Sequence, residues 1–320
     1  MKKVSAVIGL YNSEKTIGDV IKELKEAFSE SDKYELEMVL VDDHSPDNVY
    51  ELVKGYAKED KSIKVIHLAK NSGQTNAVIE GYRHATGEYI IEMDDDLQMP
   101  AREAVRMVEH LEENDFDVVF AKYAEQKESF GRRLGSKINN KMTQIMLKKP
   151  KHIRVNSFYV MRKFVKDEMI KYSNHYPYLY GMIFGITKNV DNLEVEHRER
   201  AYGKSNYTFK KLVGLWTNGF LNFSVEPLRI ATKLGTIIAS ISFVIAIVLI
   251  IQRFLYPTKS MGWSSIMVTI IFFSGVQLLG MGVLGEYLGR QYISDSGMSR
   301  VSVKEKINCE DEDEDEKEEE

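Results

Sequence analysis

Hydrophobic and polar positions alternate between two periods over the first hundred residues. "VSAVIGL" (4–10), "LEMVLVDD" (36–43), "IKVIHL" (63–68) and "EYIIEMD" (88–94) are apolar runs of strand length. Segments with helical spacing lie between them. In "SEKTIGDVIKELKEAFSE" (13–30), Ile17, Val20, Ile21, Leu24 and Phe28 share one face, and Ser13 is the expected N-cap. "NVYELVKGYAKE" and "GQTNAVIEGYRHA" read as two further helices. Strands alternating with helices predict an α/β domain, with a mostly parallel sheet covered on both faces.

The pattern changes after residue 207. "TFKKLVGLWTNGFLNFSVEPLRI" (208–230) mixes Phe209, Leu212, Trp216 and Phe220 with basic ends. It reads as one or two amphipathic helices at a membrane surface, with an ordinary domain helix as the alternative. No charged residue occurs between Lys233 and Arg253, and none from Ser260 to Gly285. A helix needs about 20 mostly apolar residues to cross a bilayer, and both stretches suffice. Lys210, Lys211, Arg229 and Lys233 precede the first; Arg290, Arg300, Lys304 and Lys306 follow the second; the connector holds only Arg253 and Lys259. This bias predicts a multi-pass protein of the cell membrane with its large N-terminal domain and both termini in the cytoplasm. The expected organisation is a cytoplasmic domain (1–207), juxtamembrane amphipathic helices (208–231), a two-helix transmembrane region (232–290) and a cytoplasmic tail (291–320). The apolar run near the N-terminus is too short for a signal peptide and fits a first strand better.

Charge sharpens this picture. The 320 residues carry a formal net charge of -5, but 310–320, "EDEDEDEKEEE", contribute -9, so the rest of the chain is +4. The acidic end has no apolar residue to bury and is expected to be disordered. The single cysteine, Cys309, excludes an intrachain disulfide and a cysteine-based metal site. A basic patch at 131–154 carries no RNA-binding motif, so a nucleic-acid partner is not expected; anionic lipid headgroups suit it better. The aromatics of "NHYPYLYGMIFG" (174–185) fit either a packed core or a sugar pocket.

In open α/β sheets, ligands bind at the carboxyl ends of the strands. Two strands here end in acids: Asp42-Asp43 and Asp94-Asp95-Asp96. Neither a G-x-G-x-x-G after the first strand nor a P-loop is present, which argues against a dinucleotide oxidoreductase and a P-loop nucleotidase. Clustered carboxylates suit a hard divalent cation, since Mg²⁺ takes one or two of them together with substrate phosphate oxygens. Residues i and i+2 of an extended chain point to the same side, so Asp94 and Asp96 are expected to share an ion while Asp95 points elsewhere.

Together these segments resemble family 2 glycosyltransferases of the GT-A fold, and more narrowly those acting on polyprenyl phosphates, the group of dolichol-phosphate mannose synthase and the bactoprenol glucosyltransferases. "VIGLYNSEKTI", "VLVDDHSPDN", "NSGQTNAVIEGYRHATGEYIIEMDDDLQMP", "RERAYGKSNYTFKKL" and "GEYLGRQY" carry the resemblance, from about residue 4 to about 305. It implies a metal-dependent transfer of a hexose from a nucleotide-sugar, a UDP-sugar foremost, to undecaprenyl phosphate, with inversion, serving cell-surface glycan modification. A polysaccharide or other acceptor without lipid phosphate is the alternative. Asp94, Asp96 and Gln98 would surround Mg²⁺ or Mn²⁺ and the donor diphosphate. Tyr11, Asn12, Glu14, Asp42, Asp43 and Asp95 would face the donor, with Asp42 and Asp43 at base and ribose. Arg198, Arg200, Lys204 and Ser205 would contact phosphates of the donor or the lipid. Membrane lipids are implied partners, and self-association through the membrane helices is open. The chain departs from the family at Gly9 (usually Pro), His44 (usually Gly), Ser157-Phe158-Tyr159 (often Asp-Phe-Arg) and 122–126, which lack an arginine. The sugar itself stays open among glucose, N-acetylglucosamine, galactose and modified sugars.

Overall fold

The computed structural model describes residues 1–123, 144, 149–172, 177–196, 198, scattered positions between 233 and 255, 263–295 and 300–309. Two compact units emerge: Met1–Thr208 with Ser299–Glu320, and Phe209–Met298.

The first unit is built on one sheet. Its elements in chain order are β1 (Lys2–Leu10), α1 (Ile17–Ser29), β2 (Tyr34–Asp42), α2 (Val49–Glu59), β3 (Ile63–Leu68), α3 (Gln74–His84), β4 (Tyr89–Glu92), α4 (Ala101–Glu113) and β5 (Val118–Tyr123). Then come β6 (Tyr159–Arg162), α5 (Lys163–Ile170), α6 (Leu179–Ile186) and β7 (Val190–Val195). The strand β8 (Val303–Ile307) closes the order β7-β5-β6-β4-β1-β2-β3-β8. Strands β4, β1, β2 and β3 run parallel, while β6 and β8 pair antiparallel with their neighbours. The four expected strands are therefore present and adjacent.

Burial explains them. Along β1, Val4, Ala6, Val7, Ile8 and Leu10 are all fully buried, as a strand covered on both faces requires. On α1 the buried residues are Ile17, Val20, Ile21, Leu24 and Phe28, the face expected from spacing. Its N-cap is Thr16, not Ser13: the chain makes a turn first, with the Thr16 and Ile17 N–H groups bonding to the Ser13 carbonyl. Helix α3 lies tight against β1 and β2. A Cβ on Gly81 would sit 2.5 Å from Val7 Cγ1 and 3.0 Å from Val41 Cγ2, so only glycine permits this approach.

Strand β8 was not expected. Residues 291–320 read as a tail from sequence, yet 303–307 pair antiparallel with β3; within that tail 296–299 and the part from 310 lie outside the described residues. The Asn308 amide fastens the strand by donating to the carbonyls of Ala57 at 2.6 Å and Ile63 at 2.8 Å.

The second unit contains α7 (Trp263–Asp295), 33 residues long. Among the described residues no helix is long and apolar enough to cross a membrane. The sequence of α7 nevertheless has no charged residue before Glu286, and its described side chains are largely exposed apolar ones, among them Ile270, Phe272, Leu278 and Met281. The first expected span, 234–252, is described only at scattered positions, where Ile237, Ile241, Phe243 and Val244 are likewise exposed. The juxtamembrane segment 208–230 and most of the basic patch 131–154 lie outside the described residues.

Candidate active site

The strand order reverses direction at β1, which leads to β2 on one side and neighbours β4 on the other. Such a switch point opens a crevice beyond the strands' carboxyl ends. The acids after β4 face the turn after β1 here: Asp95 Oδ2 accepts the Tyr11 N–H at 3.2 Å.

Asp94 is held from two sides. Its Oδ1 accepts the Gln74 amide at 2.8 Å, and its Oδ2 accepts the Ser157 hydroxyl at 2.9 Å. Gln74 opens α3, and Ser157 sits just before β6. Asp96 Oδ1 accepts the Gln98 N–H at 3.2 Å, in a turn that Leu97 makes with a left-handed φ of 62°. The three acids and Gln98 are all half-buried. Burial, reinforced by the charges of Asp94 and Asp96, pushes the Asp95 carboxyl up to about 6. Asp94, Asp95 and Asp96 thus stand together, but each is oriented by a different element.

Among the described residues no three His, Cys, Asp or Glu side chains converge on one metal position. This donor set still fits a hard divalent cation. Mg²⁺ and Mn²⁺ sites of this kind use one or two carboxylates and complete the shell with phosphate and water oxygens. A carboxylate oxygen accepts more than one bond, so the donors from Gln74 and Ser157 leave Asp94 acceptor capacity. Burial is the main cause that raises Asp95, and the smaller repulsion from Asp94 and Asp96 is what a cation between these groups would offset.

Asp42 and Asp43, at the end of β2, are turned inward. Asp42 is fully buried; Oδ1 accepts the Ser45 N–H at 3.1 Å and Oδ2 lies 2.6 Å from His67 Nδ1. Asp43 accepts the N–H groups of Ser72 at 2.6 Å and Gly73 at 2.9 Å, and burial raises its pKa. Three of the four oxygens thus brace the turns around the crevice and the fourth meets His67 on β3, with acceptor capacity left for the expected contacts to base and ribose. Around them, Ser45 Oγ accepts the Asn12 N–H at 2.8 Å and Asp47 accepts the Glu14 N–H at 2.9 Å. Tyr11 keeps its side chain 48% exposed at the mouth of the crevice.

Arg198 is brought 100 positions back to the acids: its N–H bonds to the Gln98 carbonyl at 3.0 Å. Its guanidinium pairs with Glu23 at 2.6 Å. Arg200, Lys204 and Ser205 lie outside the described residues.

Sequence reasoning missed three groups. Gln74 stood in a quoted helix, and Ser157 stood out only as a departure. The third is a buried cluster beneath the acids. The Tyr82 hydroxyl bonds to Glu92 at 2.6 Å and lies 2.7 Å from the Tyr159 hydroxyl. A glutamate inside an apolar strand was the available signal.

The chain matches the model of "Glycosyl transferase family 2" over residues 5–169, more than half its length. Its fold is similar to that of glucosyl-3-phosphoglycerate synthase from Mycobacterium tuberculosis with Mn²⁺, uridine-diphosphate and phosphoglyceric acid, at 14% identity and a TM-score of 0.51, covering 69% of this chain and 76% of that one. Mannosyl-3-phosphoglycerate synthase from Rubrobacter xylanophilus is similar at 15% identity and a TM-score of 0.50, over 72% of this chain and 75% of that one. With acids gathered at the switch point of a mostly parallel GT-A sheet, this chain belongs to glycosyl transferase family 2.

Proposed function

We propose that this protein transfers a hexose from a nucleotide-sugar, foremost a UDP-sugar, to a polyprenyl phosphate at the cytoplasmic face of the cell membrane. The donor half of this reading rests on the cluster Asp94, Asp95 and Asp96 beside Tyr11 at the β1/β4 crevice. The Mn²⁺ and uridine-diphosphate bound to the mycobacterial synthase of similar fold support a metal-assisted nucleotide donor. When bound, Mg²⁺ or Mn²⁺ held by Asp94, Asp96 and Gln98 would supply positive charge toward the leaving diphosphate.

The acceptor half rests on one observation: α7 and the positions before it expose large apolar side chains in number. Patches of that kind mark membrane or partner surfaces, and the charge-free stretches in the sequence favour the membrane. A lipid phosphate is already an anion. It attacks the anomeric carbon without a general base, and direct displacement inverts that centre. The work left to the protein is positioning and electrostatics. Gln74 and Ser157 hold Asp94 in orientation, and the Tyr11 N–H holds Asp95.

Replacing Asp96 with Ala in the full chain tests the metal and donor reading. Lipid-linked sugar formation in detergent should fall on the order of 100-fold or more, the scale for losing a preorganised electrostatic group, with thermal unfolding unchanged. Full activity of that variant would remove the role assigned to Asp96.

A further inference from the structure

We infer that His67 is a positioning residue for the nucleotide end of the crevice, and that β8 holds it there. This rests on the nucleotide-donor reading and adds to it a residue and a strand.

His67 is the penultimate residue of β3, between the fully buried Ile66 and Leu68, and is itself nearly sealed. Its Nδ1 lies 2.6 Å from Asp42 Oδ2. A carboxylate only accepts hydrogen bonds, so Nδ1 is the nitrogen that donates. This bond fixes the rotamer of a fully buried acid whose other oxygen accepts the Ser45 N–H. Ser45 in turn accepts from the Asn12 N–H at 2.8 Å and donates to Asp47 at 2.5 Å. Asn12 follows Tyr11, whose own N–H reaches Asp95. One imidazole therefore stands at the head of a bonded path through the turns after β2 and β1 to the acids after β4.

The imidazole is itself clamped. The Tyr50 ring stacks on it at 4.1 Å between centroids, with planes 21° apart. Lys54 bonds to the Tyr50 hydroxyl at 3.3 Å and to Glu305 at 2.6 Å. Glu305 lies opposite His67 in the β3–β8 ladder. The last link therefore comes from a strand that follows α7 in the sequence, more than 230 residues after His67. Asp42 and the turn it braces are thus supported by segments more than 230 residues apart in sequence.

Three full-chain variants test this: His67→Ala, His67→Asn and Glu305→Ala. Asparagine places an amide nitrogen about where Nδ1 sits. UDP affinity is measured calorimetrically, and KM and kcat for the UDP-sugar in the transfer assay. His67→Ala should raise the UDP Kd and the donor KM about tenfold or more, the value of one hydrogen bond to a charged group. The kcat should stay within about threefold, because Asp94 and Asp96 keep their own partners, Gln74, Ser157 and the Gln98 N–H, and His67→Asn should recover most of the loss. Glu305→Ala should weaken UDP in the same direction by a smaller factor. An unchanged Kd in both His67→Ala and Glu305→Ala would overturn the inference. So would equal losses in the alanine and asparagine variants, or a fall in kcat with KM unmoved. If His67→Ala fails to fold, the other two variants decide alone. Wild-type binding of UDP separates the two layers: its absence removes the nucleotide-donor reading itself, whereas its presence with unaltered variants removes only the role of His67.

Discussion

Glu92 is a buried acid held by two tyrosine hydroxyls. It lies on β4, two positions before Asp94, fully enclosed against Tyr82 and Tyr159. Burial pushes its carboxyl up to about 8 from an ordinary 4.5, although both tyrosine hydroxyls pull the other way. The folded protein thus binds a proton that the unfolded chain releases between pH 4.5 and 8. Its contribution is fully present below 4.5, is lost as pH rises through that window, and is constant above 8. The slope is at most about 1.4 kcal/mol per pH unit. Glu92→Gln keeps the shape and the hydrogen-bonding capacity but cannot ionise. Urea unfolding at pH 5 and pH 9 should show the variant gaining on the wild type as pH rises; parallel curves would contradict a neutral Glu92. The same neighbourhood shows what the sequence could and could not reveal. Three adjacent aspartates after an apolar strand are legible because the signal is local. The partners of Asp94 are not, because Gln74 and Ser157 reach it from 20 and 63 positions away through tertiary packing. The inward turn of Asp42 and Asp43 was equally hidden, since His67, Ser72 and Gly73 come from other elements.

At the level of elements, β1 to β4 and α1 to α3 could be read from periodicity because each buries a continuous local pattern. Strand β8 could not. "VKEKI" offers apolar residues only at Val303 and Ile307, and its pairing partner lies more than 230 residues upstream. Its charges have a physical sense: Lys304, Glu305 and Lys306 sit on the sheet's edge, where charge discourages pairing with another chain. Asn308 anchors it with a left-handed φ of 57°, which asparagine tolerates better than most residues. Asn308→Ala strands the Ala57 and Ile63 carbonyls and strains the backbone, at a cost of about 1–3 kcal/mol. Asn308→Gly relieves the strain and loses only the amide, so it should fall between the two in chemical unfolding. An alanine variant as stable as the wild type would mean that β8 is not fastened there.

For the whole molecule, the two units differ in what they present. The first carries the acids, and the second carries exposed apolar side chains along α7. The chain leaves the first unit after Thr208 and returns to it at Ser299, so the sheet is completed by residues that follow α7. The acceptor proposed for this molecule, and the one to test, is a polyprenyl phosphate. The direct measurement is turnover by the full chain in detergent with UDP-sugars and Mg²⁺ or Mn²⁺, offered undecaprenyl phosphate and phosphoglyceric acid in the same vessel, with products followed by mass spectrometry. The expected result is a sugar–phosphate–lipid that disappears when the lipid phosphate is omitted. Sugar transfer to phosphoglyceric acid, or transfer indifferent to the lipid, would contradict the polyprenyl-phosphate assignment.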